Sequence, residues 1–207
     1  MLRRSCRSLA LVLLTFLFAA AAQAGTISVV LSSFTGDPIE ARVTLDDRLR
    51  DGSLIGSVQV LSPYEGDLRA LFLDIADDSL IPGLIVTGAD VTDVVLGNVI
   101  DVGQGGNLNG GRTPCPCDIG IEFGTPGIGK DDIAFTTFNL SHESQFLSLD
   151  LFEGELMGLR ITSVGDGEGY RGGSAKLSGV PEPTTALLLL SGIAGLGWAG
   201  RRRDGAR

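Results

Sequence analysis

The sequence predicts an all-β fold for residues 25–179, an antiparallel β-sandwich of the jelly-roll or immunoglobulin-like kind. Short segments in this region alternate polar and apolar residues with a period of two, which is typical of half-buried strands. Clusters of Gly, Asn, Asp and Pro separate these segments, and no run of ten or more residues has helical periodicity. About eight to ten short strands with frequent turns favour a sandwich over other architectures.

The predicted strands cover most of the region. The clearest alternation is in Glu40–Asp46, Gln145–Leu151 and Met157–Thr162. The other strand candidates, in chain order, are Ile27–Leu31, Leu54–Leu61, Leu68–Ile75, Val91–Val95, Ile119–Phe123, Ile133–Leu140 and Gly173–Leu177. The one long irregular stretch, residues 103–116, is predicted to be a flexible surface loop or a binding loop.

The first 24 residues have the pattern of a secretory signal peptide. Arg3, Arg4 and Arg7 precede an apolar core that is too short for a comfortable membrane span of about 20 residues. The small residues that end this segment predict cleavage between Ala24 and Gly25. We therefore expect an exported protein.

Residues 25–180 are strongly acidic, with 9 Lys and Arg against 23 Asp and Glu, a net charge of −14. Such a region repels phosphate backbones, which argues against a nucleic-acid partner. It could attract divalent cations, although a solvated acidic surface is the simpler interpretation.

The C-terminal segment, residues 180–207, has three parts in a fixed order. Val180-Pro181-Glu182-Pro183 keeps the chain extended and blocks an earlier helix start, so we expect it to be exposed. Residues 184–200 are apolar or small and predict a short transmembrane helix. Arg201, Arg202 and Arg203 follow at once, and such a basic flank stays cytoplasmic, so the acidic domain would lie outside.

These three parts together resemble the PEP-CTERM sorting signal of Gram-negative bacteria. In that resemblance Pro181, Glu182 and Pro183 match the recognition motif, and Arg201–Arg203 match the basic stop. The resemblance implies an exosortase-like processing enzyme as partner and an inner-membrane stage followed by delivery to the cell surface or extracellular matrix. It also implies an exopolysaccharide setting, which makes exopolysaccharide a second expected partner. An ordinary C-terminal anchor with a Pro-rich stalk is the alternative.

Two cysteines, Cys115 and Cys117, remain after the predicted removal of Cys6. In an oxidising compartment they can pair with each other across one residue, although so small a ring is strained and constrains the unfolded chain little. An inter-chain bridge and a redox or metal role are the other interpretations.

Catalytic chemistry has little support in the sequence. His142 is the one histidine, and neighbouring residues on a strand point to opposite faces, so Ser141 cannot act with it directly. Residues 124–132, GTPGIGKDD, resemble a phosphate-binding loop, but Asp131 stands where Ser or Thr is needed. The acidic pairs Asp46-Asp47, Asp77-Asp78 and Asp131-Asp132, and Asp166 with Glu168, are hard oxygen ligands, so a structural calcium ion is left open.

We therefore expect a non-enzymatic surface or matrix protein that needs no cofactor. The alternatives are a carbohydrate-binding module and, less favoured, a secreted hydrolase. The scarcity of aromatic residues argues against a sugar-binding face: between the terminal segments there is no Trp, and the tyrosines are Tyr64 and Tyr170.

Overall fold

The computed structural model describes residues 25–109, 116–127, 130–165 and 171–181. The predicted signal peptide, residues 1–24, and the predicted membrane helix, residues 184–200, lie outside these ranges. Within the described residues, no helix combines the length and the hydropathy needed to cross a bilayer.

The described residues are mostly β-strand, as predicted. The strands are β1 (Thr26–Gly36), β2 (Glu40–Asp46), β3 (Leu54–Val60), β4 (Glu65–Leu73), β5 (Leu84–Thr87), β6 (Val91–Val99), β7 (Asp101–Val102), β8 (Gly106–Asn107), β9 (Cys117–Phe123), β10 (Phe135–His142), β11 (Met157–Gly165) and β12 (Gly173–Gly179). Two short 3₁₀ helices cover Asp78–Gly83 and Leu149–Leu151.

Ten strands form one antiparallel sheet in the order β5-β10-β3-β2-β1-β12-β11-β4-β9-β6, and β7 pairs with β8 separately. The first and last strands of this order, β5 and β6, follow each other in the chain and are joined by residues 88–90. The sheet therefore curls until its two ends meet, and it is nearly closed. This single sheet replaces the two separate sheets that a sandwich would have.

Asp90 ties the two ends of the sheet together. Its carboxylate accepts a hydrogen bond of 2.7 Å from the Thr136 hydroxyl on β10, and Thr136 is buried. Its main-chain carbonyl accepts a bond of 2.9 Å from the N–H of Gly124, just after β9. One residue thus links the penultimate strands at both ends of the sheet.

The main core fills the inside of the curled sheet with alternate residues of each strand. In β1, for example, Ile27, Val29 and Leu31 face inward while their neighbours are exposed. Phe123 and Phe138, from strands near opposite ends of the sheet, meet in this core with ring centroids 6.3 Å apart. Burial of this apolar surface is the main force that keeps the sheet curled.

A second, smaller core lies on the outer face of the sheet. It consists of Ala70, Phe72, Val99, Val102, Leu108 and Cys117. Gly158 on β11 lets Leu108 approach closely, since a Cβ at this glycine would lie 2.2 Å from the Leu108 side chain. Residues 101–109 therefore form a small hairpin that covers an apolar patch, and its residues 103–109 belong to the stretch predicted as a flexible surface loop or a binding loop.

The strand predicted at Gln145–Leu151 is wrong. Residues 145–148 belong to no strand, and Leu149–Leu151 is a 3₁₀ helix. Leu147 and Leu149 are buried at the end of the core, whereas Phe146 is 79% exposed. The alternation in the sequence shows which side chains are buried at the end of the sheet. A segment outside the sheet can bury alternate side chains there just as a strand can.

Candidate functional site

The C-terminal segment leaves the fold from the middle of the sheet. β12 lies between β1 and β11 and ends at Gly179. Val180 is 47% exposed, but Pro181 is buried, and its carbonyl accepts a hydrogen bond of 3.1 Å from the N–H of Gly154. The expectation that the extended stretch is exposed from its first proline is therefore wrong for Pro181.

The remaining residues of the predicted signal, Glu182, Pro183 and Arg201–Arg203, lie outside the described residues. Pro181 is the one residue of the predicted Pro-Glu-Pro motif that the structure describes. Between the last sheet residue, Gly179, and Pro181 stands one residue. No linker separates the sheet from the start of the motif.

Both ends of the domain emerge at the same end of the sheet. β1 and β12 are antiparallel neighbours with Ser32 opposite Ser178, so the start of β1 and the end of β12 point toward the same end of the sheet. The end of β12 comes level with the middle of β1, and β1 continues from there toward Thr26. Gly25, the predicted first residue after cleavage, is held there by Asp47: its N–H donates to the Asp47 carboxylate at 2.5 Å. We call this end of the sheet the exit end.

The exit end carries several carboxylates that lie close together. Burial, with Asp118 and Glu155 nearby, raises the pKa of Asp74 to about 6. The Asp118 carboxylate accepts a 3.1 Å hydrogen bond from the N–H of Ile75. The surface through which the chain leaves the domain is therefore acidic, and its charge changes around pH 6.

Farther up the sheet, a buried ion pair joins two neighbouring strands. Arg69 on β4, which is 2% exposed, contacts Glu122 on β9 at 2.6 Å and also donates to the Phe123 carbonyl. Glu122 further accepts hydrogen bonds from the Gln104 N–H at 3.1 Å and the Thr92 hydroxyl at 3.3 Å. Both Nη atoms of Arg69 and both carboxylate oxygens of Glu122 have partners, so this cluster stabilises the fold.

His142 is used structurally. Its Nδ1 accepts hydrogen bonds from the N–H groups of Ser144 at 3.0 Å and Gln145 at 3.1 Å. Its ring fills the space beside Gly83, where a Cβ would lie 2.4 Å from Nε2. The Nδ1 of His142 is therefore engaged in holding the loop after β10.

The phosphate-loop-like stretch is a turn that leads into strand β10, as its sequence suggested. The Thr125 N–H donates to the Asp131 carboxylate, and Asp132 forms an ion pair of 2.8 Å with Arg171. Residues 128 and 129, which include Gly129 of the resemblance, lie outside the described residues. The Asp131 carboxylate therefore accepts a backbone N–H that a phosphate-binding loop would offer to its phosphate.

The acidic pairs are engaged in local hydrogen bonds. Asp46 accepts from the Thr26 hydroxyl and the Arg48 N–H, and Asp77 accepts from the N–H and hydroxyl of Ser79. In the part of the chain that the structure describes, no three His, Cys, Asp or Glu residues are arranged to hold a metal ion. Asp166 and Glu168 lie outside that part.

Cys117 is disulfide-bonded and fully buried in the outer core. Cys115, its predicted partner, lies outside the described residues, so the pairing of these two cysteines stays a prediction.

The comparisons with known proteins identify the C-terminal segment. A family model for the PEP-CTERM protein-sorting motif matches residues 179–203. No curated protein and no solved structure matches the chain. Pro181, at the boundary of the fold, thus lies two residues inside the matched region. The chain carries a PEP-CTERM sorting signal, which implies an exported protein that its C-terminal region anchors transiently in the membrane for an exosortase-like system.

Proposed function

We propose that this chain is a non-enzymatic protein of the cell surface or extracellular matrix, released from the membrane by processing at its sorting signal and associated with exopolysaccharide. The observation that carries the proposal is the junction at Pro181, where a sorting motif adjoins a nearly closed, core-forming sheet without a linker. The β-sheet domain is the part of the protein that the exosortase-like system delivers.

The exit end supports this arrangement. Because the start of β1 and the end of β12 point toward the same end of the sheet, a signal peptide and a C-terminal membrane segment would both join the domain on one side. The domain would then stand on the outer surface of the inner membrane with its exit end facing the lipid. Acidic groups such as Asp74 and Glu155 would disfavour close contact with anionic headgroups, which suits temporary attachment.

The non-enzymatic part of the proposal is supported by how the polar groups are used. The His142 Nδ1, the Arg69–Glu122 pair and the Asp131 and Asp132 carboxylates all have partners within the fold. A catalytic group would need an atom free to meet a substrate.

Cell fractionation of a host with and without its exosortase-like enzyme tests the proposal. We expect a shortened form at the cell surface or in the medium in the first host, and the full-length form in the inner membrane in the second. Deletion of exopolysaccharide synthesis should release the shortened form into the medium. The same intact mass and inner-membrane location in both hosts would contradict the proposal.

A carbohydrate-binding module is the second candidate, and one observation favours it. Ser28, Thr44, Ser57 and Thr137 stand opposite one another on β1, β2, β3 and β10 and face outward, so they form a row of hydroxyls across the sheet. Ser28 and Thr44 are 3.1 Å apart at their hydroxyl oxygens. A flat, hydroxyl-lined surface can exchange hydrogen bonds with sugar hydroxyls.

A glycan array with the protein separates the two candidates. Selective binding that Thr44→Val and Ser57→Ala weaken would favour the module, whereas binding to no glycan would leave the matrix protein as the better account.

A further inference from the structure

Two basic side chains stand opposite each other on the outer face of the sheet. Arg160 of β11 pairs in register with Lys176 of β12, and both face away from the core that their neighbours Leu159 and Leu177 enter. Residues paired in this way have Cβ atoms about 4.5–5.5 Å apart, where like charges repel. Such a pair is unexpected in a region whose net charge is −14.

Neither cation forms an ion pair within the described residues, where the ion pairs involve Arg48, Arg69 and Arg171. Burial lowers the pKa of Arg160 and also that of Lys176, and the nearby Asp101 offsets the effect on Lys176 only in part. Within the described residues, the two positive charges are therefore not neutralised by a carboxylate in contact with them.

Lys176 has a structural use, whereas most of the Arg160 guanidinium does not. The Lys176 ammonium donates to the Asn107 side chain at 2.8 Å and to the Asn109 carbonyl, and so holds the covering hairpin. Arg160 Nη1 donates one long bond of 3.3 Å to the Ala175 carbonyl. Its Nε is buried without an acceptor among the described residues, which is unfavourable unless a ligand supplies one.

We propose that Arg160 and Lys176 form a binding site for an oxyanion carried by an extracellular glycan. The planar guanidinium can bind two oxygens of a carboxylate, phosphate or sulfate group, and the ammonium adds a second positive charge beside it. Such an anion would neutralise the opposed cations and supply the acceptor that Arg160 Nε lacks.

The neighbouring residues suit a sugar that carries the anion. Thr162 and Ser174 are paired in register one outward position farther along β11 and β12, so their side chains flank the cations. The Thr162 hydroxyl donates to the Asp67 carboxylate at 3.5 Å, which leaves its oxygen to accept a hydrogen bond from a sugar hydroxyl. On the other side, Leu108 covers Gly158 and closes the site. The glycan as source rests on the proposed surface function, but the anion site itself does not.

Titration of the full-length protein in a neutral detergent tests the site. The probes are galacturonate, inorganic phosphate and sulfate, with galactose as the uncharged control at matched ionic strength. We expect a saturable shift of the Arg160 Nε–H resonance with at least one anion, at a dissociation constant on the order of 1–10 mM, and none with galactose. Tighter binding of galacturonate would identify an acidic sugar as the source, and tighter binding of phosphate or sulfate a phosphorylated or sulfated one.

Arg160→Met should weaken the binding at least tenfold without lowering the thermal midpoint, because it removes a poorly satisfied buried group. Calorimetry measures binding here, since the variant lacks the observed resonance. Arg42→Met, at an exposed arginine of β2, is the matched control and should bind as wild type. The site is refuted if no anion binds saturably or if Arg160→Met binds unchanged. Loss of sorting with anion binding intact would overturn only the proposed function.

Discussion

The N–H of Gly154 donates to the carbonyl of Pro181, and this hydrogen bond of 3.1 Å holds the first proline of the sorting motif against the folded domain. Gly154 lies in the loop before β11, and Pro181 is buried. The sorting motif therefore begins inside the hydrogen-bond network of the folded domain. An enzyme that recognises Pro181 must either displace this contact or act on the residues beyond it.

The sorting motif can be separated from the membrane segment by substitution. Changing Pro181, Glu182 and Pro183 together to alanine leaves the predicted helix at residues 184–200 and its basic flank intact. We expect insertion to continue and processing to stop, so that full-length protein accumulates in the inner membrane, measured by intact mass after fractionation. Replacing Arg201–Arg203 with Ser should instead disturb the orientation, since the basic flank sets it. A triple-alanine variant that matches wild type in size and location would indicate a permanent anchor.

The sequence predicts which side chains are buried better than it predicts how the strands pair. Period-two alternation identified β1, β2 and β11 correctly because it reports which side chains face the core. It says nothing of which strands pair, so the closure of the sheet at Asp90 was not predicted. It also mistook Gln145–Leu151 for a strand, because Leu147 and Leu149 plug the end of the core from a segment that lies outside the sheet.

The two candidate sites also differ in how well the sequence predicts them. Pro181 and its segment were predicted, because a sorting signal is a local pattern that must be read in linear order. Arg160 and Lys176 were not, since they are 16 positions apart and only the register of β11 with β12 brings them together. The alternation in β11 places Arg160 on the outward side of its strand, but no pattern in the sequence identifies Lys176 as its neighbour.

Asp90 and Thr136 allow the closure of the sheet to be tested. Thr136→Val keeps the shape of the side chain and removes the hydroxyl that donates to Asp90. We expect the free energy of unfolding, measured by urea denaturation, to fall by about 1–2 kcal/mol because a partly buried hydrogen bond to a carboxylate is lost. Thr137→Val, on the exposed side of β10, should change it by less than about 0.5 kcal/mol. Equal effects of the two substitutions would contradict a special role for Asp90.

Cys115 and Cys117 should be oxidised to each other in the exported protein. Alkylation without reductant followed by mass spectrometry of the peptide would then detect no free thiol in it. Cys115→Ser should lower stability only slightly, because a ring across one residue constrains the unfolded chain little. Cys117→Ser should lower it more, by about 1–3 kcal/mol, because it places a hydroxyl in the fully buried outer core. Two free thiols would refute the pairing.

Asp74 predicts a specific pH dependence of stability. Because its pKa is raised to about 6 in the folded chain, above the 3.8 of an unperturbed aspartate, folding takes up a proton between these pH values. The contribution of Asp74 to the free energy of unfolding is fully present below about pH 4 and is lost as the pH rises through about 6. Allowing for solvent screening of this partly exposed group, we expect a loss of about 1–2 kcal/mol between pH 4 and pH 7.5.

Asp74→Asn should remove this component, so the difference between variant and wild type should favour the variant above pH 6. Asp77→Asn is the matched control, because hydrogen bonds from Ser79 lower the pKa of Asp77. Its stabilising effect is present above pH 4 and lost only at lower pH, so this variant should keep the wild-type slope between pH 5 and pH 7.5. Parallel profiles for wild type and Asp74→Asn would show that Asp74 is not perturbed.

The buried pair Arg69 and Glu122 should show strong coupling. Arg69→Met leaves the Glu122 carboxylate buried without its cation, and we expect the free energy of unfolding to fall by about 3–5 kcal/mol. In Arg69→Met/Glu122→Gln the charge is removed while the amide oxygen still accepts from the Gln104 N–H. The double variant should therefore be more stable than Arg69→Met alone, and a double-mutant cycle from urea denaturation should give a coupling of at least about 1 kcal/mol. If the two single effects simply add, the pair contributes as two independent side chains, and the ion pair is not what joins β4 to β9 at this level of the sheet.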